Sequence, residues 1–458
     1  MRKIVVQGLG FVGSATAIAV SSKLDKGLNP IFDVHGIDLK TNKGKHRVNQ
    51  INKGNFPFKT QDNKIIKEAY KAYKRGNLKA SHSQSVFAEA DVVIISINYD
   101  IQNVNQSNNK KDSFRKSCEI VAKNISAKTL VIVQSTVAPG TCEKIVYPIF
   151  KKYLKHRNIS LNNFWLAHSY ERVMPGKNYL DSIINYWRVY SGINDSSAKQ
   201  CKKFFEKVIN TKLFPLTKLE TTTASELAKV MENSYRSVNI AFVEEWSRLS
   251  EQINVDLYDV INAIRKRPSH SNLMQPGFGV GGYCLTKDPL LAKLSSKKIF
   301  KLKGHDFIFS TKSIEINRKM PIVTLNKILN FFNKSLKNKN LLLLGASYRE
   351  EVADTRFSPS EIFYKKAKKL GANIDVHDPL VHFWDELKIN VNNKLPCIKK
   401  YHALVFAVKH KNYKKISFKK LLVDKKKILI FDANKVLDLK QIREIKSMKE
   451  ATFISIGR

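Results

Sequence analysis

The sequence predicts an α/β protein in three parts, with α/β units on either side of a helical middle. Three observations carry that prediction. Apolar runs of strand length alternate with helical periodicity from Lys3 to Gln134, the pattern of parallel strands covered on both faces. No Gly or Pro interrupts the chain from Thr221 until Pro268, which leaves room for one long helix and a second behind it. A further series of apolar runs opens at Leu341.

The elements follow in order. Lys3 to Gln7 reads as a short apolar strand, Phe11 to Lys23 as a helix, and Val34 to Ile37 as a second strand ending at Asp38. Asp91 to Ile97 and Thr129 to Gln134 are further buried-type strands. Thr223-Ala224-Ser225-Glu226 fits a capping box, in which the hydroxyl and the carboxylate satisfy the free amides of a helix start. In the last part, Leu341 to Leu344, Ile374 to Asp378, Ala403 to Val408 and Ile428 to Asp432 read as strands. A helical pattern from Pro359 to Leu370, closed by Gly371, separates the first two. The expected divisions are residues 1–212, 213–325 and 326–458.

Glycine is scarce, 19 in 458, so its clusters carry information. Gly8-Leu9-Gly10-Phe11-Val12-Gly13 follows a strand and opens a helix, the setting a dinucleotide fingerprint requires. Such glycines permit a tight turn and let a pyrophosphate approach the amides at the helix N-terminus. Asp38 stands 25 residues beyond Gly13, near the spacing of the acid that binds a ribose diol, and a carboxylate there favours NAD over NADP. The first part is therefore expected to be Rossmann-like. The second cluster, Gly279-Val280-Gly281-Gly282-Tyr283-Cys284, sets a cysteine behind an amide-rich loop, with Lys287 and Asp288 close by. A thiol so placed suits nucleophilic chemistry, and it equally suits a small buried hydrophobe.

The formal charge is +41, from 80 Lys and Arg against 39 Asp and Glu. Such an excess suggests a polyanionic partner. However, only 16 of the 80 are Arg, and phosphate and base readout favours the planar Arg fork. There is no Arg-rich helix and no basic tail, so the excess reads as a solvated lysine coat, and no nucleic-acid partner is expected. Five cysteines without CxxC spacing argue for a reducing compartment and against a disulfide framework or a metal site. Met1-Arg2-Lys3 and the apolar residues after it mimic a leader, but Gln7 and three glycines break the run. A cytoplasmic protein with no membrane partner is the expectation.

Six motifs in order resemble the family of nucleotide-sugar 6-dehydrogenases, which includes the UDP-glucose, UDP-N-acetylhexosamine and GDP-mannose dehydrogenases. They are the Gly8–Gly13 fingerprint with Asp38, Ser135-Thr136-Val137-Ala138-Pro139-Gly140-Thr141, Glu171-Arg172-Val173-Met174-Pro175-Gly176, Glu226-Leu227-x-Lys229-x-x-x-Asn233, Gly281-Gly282-Tyr283-Cys284-Leu285-x-Lys287-Asp288, and Asp354-Thr355-Arg356. The resemblance covers nearly the whole chain. It implies a C-terminal Rossmann-like domain that binds the UDP-sugar, NAD as cofactor, a nucleotide-sugar substrate and a homodimer through the central helix.

It also implies roles. Cys284 is the nucleophile that captures the aldehyde, and Lys229 and Asn233, one helical turn apart, stabilise negative charge on the substrate oxygen. Glu171 handles water, with Asp288 and Thr136 orienting it. Gly8, Gly10, Phe11, Val12, Gly13, Asp38, Ser135, Thr136, Lys287 and Arg356 fall to the cofactor. Glu171, Arg172, Lys229, Asn233, Gly281 and Arg349 fall to the substrate, with Arg172 suited to a diphosphate. The Glu-Arg-Val-x-Pro-Gly form looks more like enzymes of UDP-N-acetylglucosamine or UDP-N-acetylmannosamine, whereas Lys287 before Asp288 is closer to the UDP-glucose pattern. Two positions depart from the family: Arg349 stands where a Lys is usual, and Asn434-Lys435 where an Arg is common. A single-step dehydrogenase of the phosphogluconate type would need neither the cysteine loop nor the strands from Leu341 onward.

Overall fold

The computed structural model describes residues 1–99, 112–422 and 427–458. They form two compact units, Met1–Glu232 with Leu291–His305, and Asn233–Leu290 with Asp306–Arg458.

The first unit is a doubly wound sheet. Its strands are β1 (Arg2–Gln7), β2 (Phe32–Ile37), β3 (Leu78–Ser81), β4 (Val92–Ile95), β5 (Thr129–Val133), β6 (Phe164–His168), β7 (Val189–Gly192) and β8 (Thr217–Lys218), in the order β3-β2-β1-β4-β5-β6-β7-β8. All neighbours run parallel except β6 and β7. The main helices are α1 (Phe11–Ser21), α2 (Asn42–Asn52), α3 (Asn63–Arg75), α4 (Ser113–Asn124), α5 (Tyr147–His156) and α6 (Asp195–Val208). Strands covered on both faces need apolar residues at every position, not at alternate ones. Accordingly, Ile4, Val6, Ile94 and Ile132 pack with α1 and α6 on one face. Val5, Val93, Ile95 and Val131 pack with α4 and α5 on the other. The chain order reverses between β1 and β4, which makes the carboxyl ends of those strands the expected ligand crevice.

The gap free of Gly and Pro does hold a long helix, α7 (Thr222–Gln252), followed by α8 (Leu257–Ile264). Asn254, in a left-handed conformation (φ 57°), ends the first. Asp256 caps the second through the Tyr258 amide at 2.8 Å.

The start of α7 corrects the sequence reading. The hydroxyl that accepts a helix-start amide is that of Thr221, from Ala224 at 3.0 Å. Glu226 does not fold back on the helix start. Its carboxylate is fully buried and serves a distant turn instead. The physical reason is that Thr221, one residue ahead of the helix, already fills the capping position.

The second unit adds α9 (Ile308–Phe331) and a parallel five-stranded sheet. Its strands are β9 (Asn340–Leu344), β10 (Asn373–His377), β13 (Ala403–Phe406), β14 (Ile428–Asp432) and β15 (Ala451–Ser455), with a small β11 (Phe383–Trp384) and β12 (Ile389–Asn390) hairpin to one side. The order β10-β9-β13-β14-β15 again places a reversal beside the first strand. Leu341 to Leu344 are wholly buried, alternate residues belonging to the two faces. Burial of each contributes about 1.5–3 kcal/mol. Helix α10 (Pro359–Lys369) starts on a Ser358 cap with Pro359 at its first position, and α11 (Leu439–Lys446) closes the sequence of helices. Among the described residues no helix is long and apolar enough to cross a membrane.

Candidate functional site

The glycine loop after β1 has the stereochemistry of a phosphate cradle. Gly8 adopts φ +93°, and a Cβ there would stand 2.5 Å from the Ser96 carbonyl oxygen. A Cβ on Gly13 would lie 1.8 Å from the Gly8 oxygen, so only glycine lets α1 start this close to the turn. Gly10 differs, since nothing lies within 4 Å of its added Cβ. It caps α1 without a side-chain hydrogen bond, and Phe11 and Val12 continue into the first turn, so this helix start suits a pyrophosphate. At the end of β2, Asp38 accepts from the Leu39 amide at 2.8 Å and from Arg47 at 3.0 Å. The β5 turn completes this edge. Ser135 donates to the Ile97 carbonyl at 2.6 Å and accepts its amide at 3.0 Å, with half-buried Thr136 beside it. The residues fit a dinucleotide.

The same unit gathers a second group at the end of β6. Glu171 and Lys229 are both nearly buried, and Lys229 Nζ donates to the Glu171 carbonyl at 3.0 Å. The Glu171 carboxylate accepts from the Val173 amide, which bends the loop back on itself. Arg172 is fully engaged: it reaches Glu232 on α7 at 3.2 Å, the Trp187 carbonyl at 3.2 Å and the Tyr170 hydroxyl at 3.3 Å. Arg188, buried beneath, donates to the Tyr170 carbonyl at 2.9 Å, and burial lowers its pKa to about 10. Burial likewise lowers His168 to about 3, so it is neutral, paired with the Ser225 hydroxyl at 2.6 Å.

Glu226 ties this region to the β5 turn. One carboxylate oxygen accepts from Gly140 N–H at 2.6 Å and the other from Cys142 N–H at 2.7 Å. Burial pushes its pKa up to about 7, against the pull of these backbone N–H groups. Ser135 and Thr136 belong to the turn so held, and Lys229 lies three residues along α7 from the carboxylate that holds it.

In the second unit the glycines let the cysteine loop pack close against Tyr348 and Phe357. A Cβ on Gly281 would stand 2.7 Å from Tyr348 Cβ and 2.8 Å from the Phe357 oxygen. Gly282, at φ +81°, donates to the Arg356 carbonyl at 3.2 Å. Cys284 is exposed, whereas Cys118, Cys142 and Cys201 are buried. Its carbonyl accepts the amides of Lys287 and Asp288. Asp288 is wholly buried, accepting from Asn233 Nδ2 at 2.7 Å and Lys287 Nζ at 2.5 Å. Lys287 also covers the Tyr283 ring at 4.5 Å. Arg356 is locked to Asp354, with Nη2 2.7 Å from a carboxylate oxygen. Arg349 is half-exposed, 3.9 Å from Glu350. Among the described residues no group of His, Cys, Asp and Glu is arranged to hold a metal ion.

Most of the predicted residues fall into three groups, whereas Arg349 lies beside Glu350 and Arg356 is held by Asp354. Gly8 to Gly13, Asp38 and Ser135 line the β1 edge; Glu171, Arg172 and Lys229 share the β6 end; Asn233, Cys284, Lys287 and Asp288 meet in the second unit. Tyr170, Arg188, His168 and Glu232 went unnoticed in the sequence. Only Glu226 gave a signal, its place in the central motif, and helix-start chemistry masked it.

Comparison with known proteins places this geometry. Residues 2–209 match the NAD-binding domain of the UDP-glucose/GDP-mannose dehydrogenase family, residues 223–319 its central domain and residues 342–439 its UDP-binding domain. A UDP-N-acetyl-D-mannosamine dehydrogenase of Methanococcus maripaludis is 28% identical over 96% of this chain and 94% of its own. One from Campylobacter jejuni is 26% identical over 86% of this chain and 89% of its own. The structure of a UDP-D-ManNAc dehydrogenase from Pyrococcus horikoshii aligns over 100% of this chain and 99% of its own, with TM-score 0.81 and 25% identity. A UDP-glucose dehydrogenase from Pyrobaculum islandicum, 20% identical with TM-score 0.81 over 100% of this chain and 98% of its own, shares the fold.

Proposed function

Because the chain belongs to the UDP-glucose/GDP-mannose dehydrogenase family, we propose that it oxidises C6 of UDP-N-acetyl-D-mannosamine from alcohol to carboxylate. NAD-dependent nucleotide-sugar oxidation follows from the family; the sugar and the chemical steps are our reading. The observation that carries the steps is the exposed Cys284 on its glycine loop, four residues before a buried Asp288 bound to Asn233. The near full-length relatives of that name support the sugar. Residues 1–212 hold the cofactor, 213–325 supply the catalytic Lys229, Asn233 and Cys284, and 326–458 hold the UDP moiety.

NAD, held by the Gly8–Gly13 loop, Asp38 and Ser135, supplies the hydride acceptor. Lys229 and Asn233 donate to the C6 oxygen as negative charge grows on it. Cys284 Sγ adds to the aldehyde carbon, so the intermediate stays covalently bound. Loss of the second hydride leaves a thioester. Water, oriented by Glu171, Asp288 and Thr136, attacks the thioester carbon and expels the thiolate. Overall, one alcohol, one water and two NAD+ give one carboxylate, two NADH and three protons. Arg172 steadies the loop through Glu232 and Tyr170, and its guanidinium is the group suited to the substrate diphosphate.

The test is NADH yield across UDP-N-acetylmannosamine, UDP-N-acetylglucosamine, UDP-glucose and GDP-mannose. Two NADH per UDP-N-acetylmannosamine, with slower turnover of the rest, is expected. One NADH per sugar rejects the thioester route, and preference for UDP-glucose rejects the assignment of sugar.

Helix α7 also carries exposed Tyr235, Phe242, Trp246 and Leu249, spaced seven, four and three residues apart along one stripe. Large apolar side chains in a row mark an association surface, which supports a homodimer. Sedimentation should give about twice the monomer mass, and Trp246→Glu should give monomer. A monomeric wild type at micromolar concentration discards the dimer.

A further inference from the structure

Three neighbouring strands of the second unit, β10, β9 and β13, end side by side. The loop after β9 leaves the sheet where the chain order reverses, and in an open α/β sheet that crevice takes the ligand. The loop runs Gly345-Ala346-Ser347-Tyr348-Arg349-Glu350-Glu351, with Arg349 half-exposed on it. Against it lie Asp378, just after β10, and His410, in the turn after β13, both wholly buried.

These two side chains hold the loop on both flanks of Arg349. One Asp378 oxygen accepts the amides of Ala346 at 2.9 Å and Ser347 at 3.1 Å. The other accepts those of Leu380 and Val381, at 2.9 and 3.1 Å. The Glu351 amide donates to His410 Nδ1 at 3.2 Å. A ring nitrogen that accepts carries no proton, so Nε2 is the N–H donor of the ring. Nε2 lies 3.2 Å from Asp378 Oδ2 and 3.1 Å from Ser347 Oγ. The Ser347 hydroxyl donates onward to the Arg349 carbonyl at 3.0 Å. One imidazole therefore fixes the backbone of Glu351 directly and that of Arg349 through Ser347.

The hold is specific in two respects. Glu351 stands at φ 57°, a left-handed conformation unfavourable for a residue with a Cβ, and the bond from its amide to His410 keeps it there. Its carboxylate accepts the Lys411 amide at 2.9 Å, which ties the same residue to the turn that carries His410. Asp378, in turn, meets its donors as a carboxylate. Burial alone would push its pKa up, but hydrogen bonds from His410 and the amides of Leu380 and Ser347 hold it down to about 2. On the far side the Tyr413 ring packs edge-on against His410, centroids 5.8 Å apart, and its hydroxyl is shared with His377.

We propose that His410 is a positioning residue for the nucleotide sugar, its two ring nitrogens fixing the stretch of backbone from which Arg349 reaches the substrate. This rests on the substrate role that the family resemblance gives Arg349, and the experiment tests the two separately.

Calorimetric titration with UDP is run on the full-length wild type, Arg349→Ala, His410→Ala and the double variant, which together form a double-mutant cycle. Arg349→Ala should weaken UDP binding roughly tenfold or more, the loss of a charged hydrogen bond. His410→Ala should weaken it about threefold to tenfold. The double variant should bind within about twofold of Arg349→Ala alone, because a residue that acts by placing Arg349 then has nothing to place. NADH affinity, read by fluorescence, should stay within about twofold throughout, since the glycine loop belongs to the other unit.

Losses that multiply in the double variant overturn the proposal, because a merely structural role acts independently of Arg349. A fall in NADH affinity as large as that in UDP affinity overturns it as well. If His410→Ala does not fold, His410→Asn takes its place under the same criteria, still offering the Glu351 amide an acceptor but too short to reach Asp378. A loss in Arg349→Ala with none at position 410 overturns the positioning role alone. If Arg349→Ala leaves UDP affinity unchanged, the substrate role of Arg349 fails, and the proposal falls with it.

Discussion

The Cys284→Ala variant is expected to form no uronate and to lose roughly 10³-fold or more of steady-state turnover, since removing a covalent nucleophile costs on that order. Hydride transfer from the alcohol does not need the thiol, so up to one NADH per sugar survives, and aldehyde appears in solution where a carbonyl reagent traps it. The fold should be unaffected, because Cys284 is exposed and its carbonyl, not its side chain, organises the turn to Asp288. Stopped-flow absorbance at the NADH band, with product analysis by mass spectrometry, reads all three. A variant that still yields two NADH and a uronate per sugar would sink the thioester route.

Loss of the Glu226 carboxylate is expected to have the second largest effect. Both oxygens accept backbone N–H groups, at 2.6 and 2.7 Å, in a fully buried setting. Glu226→Gln turns an NH2 toward one of those donors, and an unsatisfied buried N–H costs about 1–3 kcal/mol. Glu226→Leu strands both donors and costs roughly twice that. Because the turn carries Ser135 and Thr136, NADH affinity should fall along with melting temperature.

The pH dependence has a definite sign. The folded-state pKa, about 7, lies above the ordinary carboxyl value of 4.5. The folded protein therefore binds the proton more tightly than the unfolded chain. The stability this contributes is complete below the ordinary value and lost as pH rises through about 7, an effect on the order of 3 kcal/mol. Glutamine does not titrate, so the stability gap between wild type and Glu226→Gln should be wider at pH 5 than at pH 8. Thermal melts at the two pH values measure it, and a gap that widens toward pH 8 would show that the carboxylate stays charged throughout.

Much of the architecture was legible because local pattern and burial agree. The glycine fingerprint, the four-leucine strand and the long interval without Gly or Pro each define an element over a few contiguous residues. Of the strands that escaped, β3, β6, β7 and β15 are four or five residues long and β8, β11 and β12 only two. Several of them mix polar with apolar positions, as in Leu-Lys-Ala-Ser and Phe-Trp-Leu-Ala-His. Such segments become strands through a neighbour's ladder, not through their own periodicity. Glu226 failed differently. Its spacing from Thr223 matched a helix cap, but its partners are amides 84 and 86 residues away.

Read from the sequence alone are a three-glycine dinucleotide loop, a cysteine behind an amide-rich loop, and a lysine and an asparagine one helical turn apart. Those signals are short and contiguous, so they survive without a fold. The tertiary structure decided what surrounds each reacting group. It exposes Cys284 while burying three of the other four cysteines, gives Asp288 both Asn233 and Lys287, turns Arg172 inward to Glu232, and lays Lys229 on the face of Tyr170. The environment of a buried charge is set by donors and rings that chain folding brings from remote positions, and burial and charge pairing have no signature in the spacing of residues along the chain.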